Sequence, residues 1–343
     1  MSQVSLALVG FGNVGQALSR LLIRKQATLA AQYDVTFRVV GIATGHHGIC
    51  IDPDGIDLEK SLALVGSGQS LAALSAQPAP DSVTDFIQVA PADILFENSP
   101  TNHETGQPAI AYLSAALERG MHAITANKGP IVHGYNQLTE LAKSKGKRFL
   151  FESTVMDGAP IFSIFRAALP AVDLRGFHGI LNSCTNMILG RMEKGESLEQ
   201  AIAYAQSIGI AETDPSEDVD GWDASIKVAA LVTVLMGIPV TPDQVDRQGI
   251  RKITREMIAE AEQAGERWKL VCTAYRQGNA LRTRVAPERV TPDSPLFSIN
   301  GTSSYVEFET DVLPGLGIVE NNPSPETTAY GLLADMINVL RNS

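Results

Sequence analysis

The chain starts with a short apolar run, Val4-Ser-Leu-Ala-Leu-Val9, and passes directly into Gly10-Phe-Gly12-Asn-Val-Gly15. Beyond it Val14, Ala17, Leu18, Leu21 and Leu22 recur at helical spacing, which predicts strand, tight turn and amphipathic helix. Residues 37–44 read as a second strand, so the two strands and the helix between them make a βαβ unit and begin a parallel sheet. The alternation continues with a strand over 93–97, a helix over 108–119 that has Pro at its start and Gly120 at its stop, and a strand over 122–125. A helix over 135–145 and a strand over 148–152 follow. Between residues 49 and 91 lie a loop rich in glycine and aspartate and a helix near 61–75.

After about residue 152 the pattern changes. Residues 174–181 read as a strand, and Ser197-Leu-Glu-Gln200 has capping-box form ahead of a helix carrying Leu198, Ala201, Ile202 and Ala205. Residues 222–236 are apolar nearly all round, which predicts a buried helix. Strands are expected near 268–275, 281–286, 305–309 and 317–320, with a last helix over 327–340. A second, α+β domain therefore follows an α/β one.

The length of 343 residues suggests about two domains. Lys and Arg number 27 against 38 Asp and Glu, a formal charge of −11, and no basic patch stands against that field, so nucleic acid is not an expected partner. The longest apolar run, 228–238, is too short for a membrane span, and the start lacks the layout of a signal peptide. Cys50, Cys184 and Cys272 are too scattered for a disulfide framework or a clustered zinc site, and a reducing cytoplasm is the expected location.

Two segments carry candidate chemistry. Gly10, Gly12 and Gly15 between a strand and a helix form the G-x-G-x-x-G turn of a Rossmann-type nucleotide-binding domain, so residues 10–15 (Gly10, Phe11, Gly12, Asn13, Val14, Gly15) are the expected seat of a dinucleotide pyrophosphate. A ligand-free glycine turn is the plain alternative. The second strand ends at Thr44-Gly-His46-His47 with no Asp or Glu to hold the ribose hydroxyls of NAD, which favours NADP. No Arg is there for a 2′-phosphate either, leaving Thr44, His46 and His47 to serve. The second segment, Glu212 to Lys227, holds a crowd of carboxylates and one lysine at the mouth of an apolar helix. Asp223 and Lys227 stand at i and i+4, which fits a simple helix ion pair or a polar pocket for a zwitterionic amino acid.

Ala211-Glu-Thr-Asp-Pro215 followed by Asp218-x-x-Gly-x-Asp223-x-x-x-Lys227 resembles the signature of homoserine dehydrogenases. Asn182-Ser-Cys-Thr-Asn186-Met-Ile-Leu189, Thr125-Ala-Asn-Lys128-Gly-Pro130, Glu152-Ser-Thr-Val155 and the closing Thr327-Thr-Ala329 with Asp335 are similar to that family's other landmarks, in the same order. The resemblance implies that Lys227 transfers the proton, that Lys128 is a second catalytic lysine near the nicotinamide, and that Glu212, Asp218 and Asp223 hold the substrate ammonium. It places Ser99, Pro100, Asn127 and Lys128 on the cofactor, beside the Thr44 read from the strand end, and a sodium-like ion on carbonyls of Glu152, Val155, Asp157 and Ala159. Ser183-Cys184 departs from the family's Gly-Thr at the substrate side. Cys184 is therefore a candidate substrate contact, and as a thiol it reads as a buried small side chain rather than a nucleophile.

The resemblance thus implies an α/β enzyme with a nucleotide-binding domain over 1–150 completed by about 305–343, and a substrate-binding and dimerisation domain over 151–304. Its reaction would be the reversible NAD(P)-dependent interconversion of L-homoserine and L-aspartate 4-semialdehyde, in a short homodimeric form with no added regulatory domain. The alternatives are another semialdehyde or amino-acid dehydrogenase on the same scaffold, and a non-catalytic dinucleotide-sensing protein.

Overall fold

The structure, a computed structural model, describes residues 2–278 and 280–341. It divides into two compact units, Met1–Ser163 with Ser324–Ser343, and Ile164–Pro323. Among the described residues no helix is long and apolar enough to cross a membrane.

The first unit is built on β1 (Ser2–Val9), β2 (Val35–Ala43), β3 (Ile49–Ile51), β4 (Ile94–Glu97), β5 (His122–Thr125) and β6 (Phe149–Leu150), in the order β3-β2-β1-β4-β5-β6. All neighbours are parallel except β3, an antiparallel edge that the sequence did not announce. Its helices are α1 (Asn13–Tyr33), α2 (Leu58–Gly66), α3 (Val83–Val89), α4 (Ala109–Glu118), α5 (Gly129–Ser144) and the single turn α6 (Ile161–Ser163). Strand alternation explains the two cores. Leu6, Leu8, Ile94 and Phe96 face Leu18, Leu21 and Leu22 of α1 and Leu332 and Met336 of the C-terminal helix Pro325–Arg341. Ala7, Val9 and Leu95 face Phe86 and Ile87 of α3 and Ala116 of α4. The predicted helix over 61–75 is shorter, ending at Gly66, and α5 starts earlier than expected because Pro130 suits a first turn.

The second unit holds β7 (Leu174–Ile180), β8 (Asp246–Arg247), β9 (Arg267–Gln277), β10 (Ala280–Val290), β11 (Ser304–Thr310) and β12 (Leu316–Glu320), in the order β12-β11-β7-β9-β10-β8. Its helices are α7 (Ser183–Met192), α8 (Leu198–Ser207), α9 (Ser216–Val219), α10 (Trp222–Leu231) and α11 (Arg255–Gln263). The capping box at Ser197 and Gln200 forms as read. The buried helix begins at Trp222 as predicted and ends in a π turn over Val232–Met236.

One boundary is corrected. The segment from about residue 305 was expected to complete the nucleotide-binding domain, but β11 pairs antiparallel with β7 and carries β12 on its other side. Only the C-terminal helix returns to the first unit. There the buried Asp335 accepts from the Glu152 backbone N–H at 2.7 Å, and Ser153 Oγ donates to the Thr328 carbonyl at 2.7 Å. Gly331 allows the approach, since a Cβ there would lie 2.2 Å from Ser153 Oγ.

The second unit also buries a lysine. Lys269 is 1 % exposed, and its Nζ donates to Asn186 Oδ1 at 2.9 Å and to the Ile299 carbonyl. Asn186 Nδ2 in turn donates to the carbonyls of Ile299, Gly301 and Ser303, so the pair fastens the 299–303 segment to α7. Burial, helped by nearby Arg267 and opposed by Glu193, pushes the amine down to about 8. Between that value and the ordinary 10.5 the unfolded chain binds the proton more strongly, so unfolding free energy should rise with pH from about 8 to about 10. Denaturant titrations should show Lys269→Met lacking part of that rise, and equal slopes in both proteins would refute the assignment.

Candidate active site

In the first unit, the turn between β1 and α1 is shaped by its glycines. Gly10 has φ +90°, and a Cβ there would fall 2.3 Å from the Asn98 carbonyl oxygen. A Cβ on Gly15 would fall 2.4 Å from the Gly10 carbonyl oxygen, whereas Gly12 faces open space. Gly12 is also the N-cap of α1 and supplies no side-chain acceptor, so the first N–H groups of a 21-residue helix point outward from an exposed turn. Such a terminus favours an anion. Of the residues in this turn, Asn13 is exposed, Val14 half-buried and Phe11 buried.

Beside the turn lies a cavity of about 430 Å³ whose lining includes Gly10, Thr44, Gly45, Ser99, Pro100 and Asn102. Four predicted cofactor residues are thereby brought together at the point where strand order reverses, the usual ligand crevice of such a sheet. Thr44 Oγ1 accepts from the His47 N–H at 2.7 Å and fixes the loop after β2. Asn127 is buried; its Nδ2 donates to the Ser99 carbonyl at 3.1 Å and its Oδ1 accepts from Gly129 N–H at 3.0 Å. Lys128, half-buried, follows it as the N-cap residue of α5.

In the second unit, Lys227 on α10 donates from Nζ to the Leu181 carbonyl at 2.7 Å and pairs with Asp223 Oδ2 at 3.0 Å. Asn182 Nδ2 is shared by two carboxylates, Asp218 Oδ1 at 2.6 Å and Asp223 Oδ2 at 3.0 Å. Asn182 Oδ1 accepts from Thr185 N–H at 2.8 Å and caps α7, so one side chain starts a helix and joins the acidic pair. Burial and then the charge of Asp223 raise the Asp218 carboxyl, while Asn182, Cys184 and Lys227 pull it back. Cys184 is buried, and desolvation followed by the Asp218 charge pushes its thiol far up, against any role as a nucleophile. Glu212 stands apart. It is exposed, its carbonyl accepts from Gln206, and among the described residues its side chain forms no hydrogen bond or ion pair with this cluster.

The segment proposed for an ion is buried and irregular, with Asp157 at φ +42°. Both carboxylate oxygens of Glu152 are engaged, accepting from Phe162 N–H at 2.7 Å and Ser163 N–H at 2.8 Å. Its side chain is thus a cap for α6, and only its backbone oxygen suits a hard cation. Asp157 accepts from Thr328 Oγ1 on the C-terminal helix. Among the described residues no group of three or more His, Cys, Asp or Glu could hold a metal through side chains.

Sequence profiles agree on what these parts amount to. One described as homoserine dehydrogenase matches residues 160–337, and one described as homoserine dehydrogenase, NAD binding domain, matches residues 10–152. The chain belongs to the homoserine dehydrogenase family. It is 32% identical over 340 residues to an NAD(+)-dependent homoserine dehydrogenase of Pseudomonas canavaninivorans, covering 99% of this chain and 97% of the other. It is 34% identical over 341 residues to a homoserine dehydrogenase of Methanocaldococcus jannaschii, covering 99% of each. A solved structure described as a hyperthermophilic archaeal homoserine dehydrogenase in complex with NADPH superposes with a TM-score of 0.85 at 27% identity, covering 100% of this chain and 99% of that one. The chain is accordingly an oxidoreductase acting on a CH–OH group, interconverting L-homoserine and L-aspartate 4-semialdehyde with a nicotinamide dinucleotide. Neither a different semialdehyde dehydrogenase nor a non-catalytic sensor gains support from these likenesses.

Asn182 is the residue that sequence reasoning passed over. Its signal was present, an Asn three positions before Thr185 at the end of a strand, which is cap spacing. Asn182→Asp would keep the capping oxygen but place a third carboxyl against Asp218 and Asp223. Its thermal midpoint should fall below the wild type at neutral pH and recover as pH is lowered and the carboxyls protonate; a constant difference across pH would count against the shared-amide role.

Proposed function

We propose that the Lys227 ammonium serves the substrate oxygen and that Asp218 and Asp223 hold the substrate ammonium. The observation that supports this is the chain of contacts Asp218–Asn182–Asp223–Lys227, with Lys227 and Asp223 side chains 16% and 18% exposed. A bound nicotinamide dinucleotide supplies or accepts the hydride at the substrate carbon. Lys227, oriented by Asp223 and the Leu181 carbonyl, donates a hydrogen bond to the hydroxyl or aldehyde oxygen, stabilises alkoxide character there and moves the proton. Asp218, with Cys184 against it, offers negative charge to an α-ammonium. Lys128 is placed on the nicotinamide side of the reaction, and Glu212 is assigned an outer contact with the substrate ammonium, through water.

For the cofactor, residues 10–15 take the pyrophosphate, and Thr44, Ser99, Pro100 and Asn127 shape the cavity beside it. Nothing acidic stands at the end of β2, where Thr44, Gly45, His46 and His47 suit a 2′-phosphate better than a bare diol, which favours NADP over NAD. One relative is described in complex with NADPH and another as NAD(+)-dependent, which supports testing both cofactors. The carbonyls of Glu152, Val155, Asp157 and Ala159 would hold a sodium ion, which suits a buried, irregular backbone segment.

A homodimer and a cytoplasmic location complete the reading. Trp268 and Arg276 of β9 bond to the carbonyls of Met257 and Met236, so by alternation Tyr275 faces the opposite side, with His178 and Tyr305. That face of the sheet is the one assigned to the second subunit. The three buried, unpaired cysteines accord with a reducing compartment.

Purified protein given L-homoserine should generate reduced-cofactor absorbance with NADP and more weakly with NAD. Lys227→Ala should lower turnover by about 100-fold or more while cofactor affinity stays within about twofold. A Lys227→Ala variant with wild-type turnover would overturn the assignment.

A further inference from the structure

Glu97 ends β4, is 0% exposed and took no part in the sequence reading. Its Oε1 accepts from the Ser99 N–H at 2.8 Å and from Ser99 Oγ, and its Oε2 accepts from Thr125 Oγ1 at 2.7 Å. Thr125 Oγ1 accepts in turn from the Asn127 N–H at 2.9 Å. Asn127 closes the circuit, donating from Nδ2 to the carbonyls of Ser99 at 3.1 Å and Pro100 at 3.4 Å and accepting from Gly129 N–H. Burial raises the carboxyl, and the hydrogen bonds from Ser99, Thr125 and Asn127 draw it back.

The circuit spans two loops that leave the sheet at adjacent strands. One, residues 98–102, lines the cavity beside the glycine turn; the other, residues 126–129, carries Asn127 and Lys128 into α5. A carboxylate in this place is not needed to fill space. An apolar residue would suit the end of a buried strand better, because an ionised group there forfeits its hydration unless donors surround it. Here the donors are Ser99 on the first loop and Thr125, the last residue of β5, whose hydroxyl carries the second loop through the Asn127 N–H. We propose that Glu97 is a positioning residue for the nicotinamide dinucleotide: it fixes the spacing between the Ser99–Pro100 wall of the cavity and the Asn127–Lys128 turn. This rests on the cofactor reading above and extends it to a residue that does not itself line the cavity.

The geometry predicts a specific asymmetry. In Glu97→Gln one acceptor oxygen becomes an NH2 group, which cannot accept from Ser99 N–H; turned toward Thr125 it cannot accept from the hydroxyl, which then donates only to the backbone carbonyl of residue 97, 3.1 Å away. The charge-assisted link from Thr125 to the side chain is therefore replaced by a weaker neutral one with little change in volume. Thr125→Val removes that link from the other end, together with the acceptor of the Asn127 N–H.

The test is calorimetric titration of NADPH into wild type, Glu97→Gln, Thr125→Val and the double variant, with homoserine kinetics alongside. Each single variant should weaken NADPH binding by about tenfold, raising cofactor KM more than homoserine KM. The double variant should be no weaker than the worse single one, because both remove one contact. Unchanged NADPH affinity in Glu97→Gln, or losses that multiply in the double variant, would overturn the proposal. Should a variant fold poorly, Glu97→Asp, which keeps the carboxylate but withdraws it by one methylene from Ser99 and Thr125, is titrated instead; a wild-type affinity there together with unaltered cofactor KM would overturn it equally. Wild type that binds NADPH without oxidising homoserine would count against the reaction assigned to the chain and leave this binding comparison standing.

Discussion

Two carboxylates held close together in a partly buried place repel each other and forfeit hydration, and the second unit is arranged around meeting that cost. Asn182 gives one amide nitrogen to both Asp218 and Asp223, and Lys227 balances Asp223 from the next turn of α10. Removing a single partner from such an arrangement typically costs about 3–5 kcal/mol, because a charge is left without compensation. The local fold follows from this need. Asn182 can reach both acids because it is the N-cap of α7, directly after β7, and Lys227 is fixed by the carbonyl of the residue before it, Leu181.

The first unit solves a different problem, making room for a polyanion at the end of a buried sheet. Glycines at positions 10 and 15 let the backbone close on itself where any Cβ would collide, and Gly12 leaves the helix terminus open. The loops after β4 and β5 are then held by side chains that bond to backbone rather than to each other alone, so the cavity wall is fixed before any ligand arrives. Preorganisation of this kind reduces what binding must order.

Much of this was legible beforehand, for reasons that differ by element. The βαβ start, the capping box at Ser197 and the buried helix from Trp222 were read because long periodic segments and cap residues leave local signals. The motif spacing placed Asp218, Asp223 and Lys227 together, and they do meet. The antiparallel strand β3, the short helices α9 and α11 and the sheet membership of β11 and β12 were not legible in the same way. Strand partnership is decided by pairing far along the chain, and short elements have no period to read. Glu212 is named through the family resemblance, and a side chain ten residues before the start of α10 is placed by the loop, not by the helix. Glu97 and Asn182 were missed because a polar residue closing an apolar strand looks like a boundary until its partners are seen.

If Asp218 and Asp223 hold the substrate ammonium, as proposed, the enzyme must discriminate strongly against the same alcohol without its amine. Steady-state kinetics under saturating cofactor would compare kcat/KM for L-homoserine with that for 4-hydroxybutanoate. The expected preference is about 100-fold or more for homoserine, the loss that follows when a buried charge is left without its partner. Comparable values for the two alcohols would overturn that role for the acidic pair.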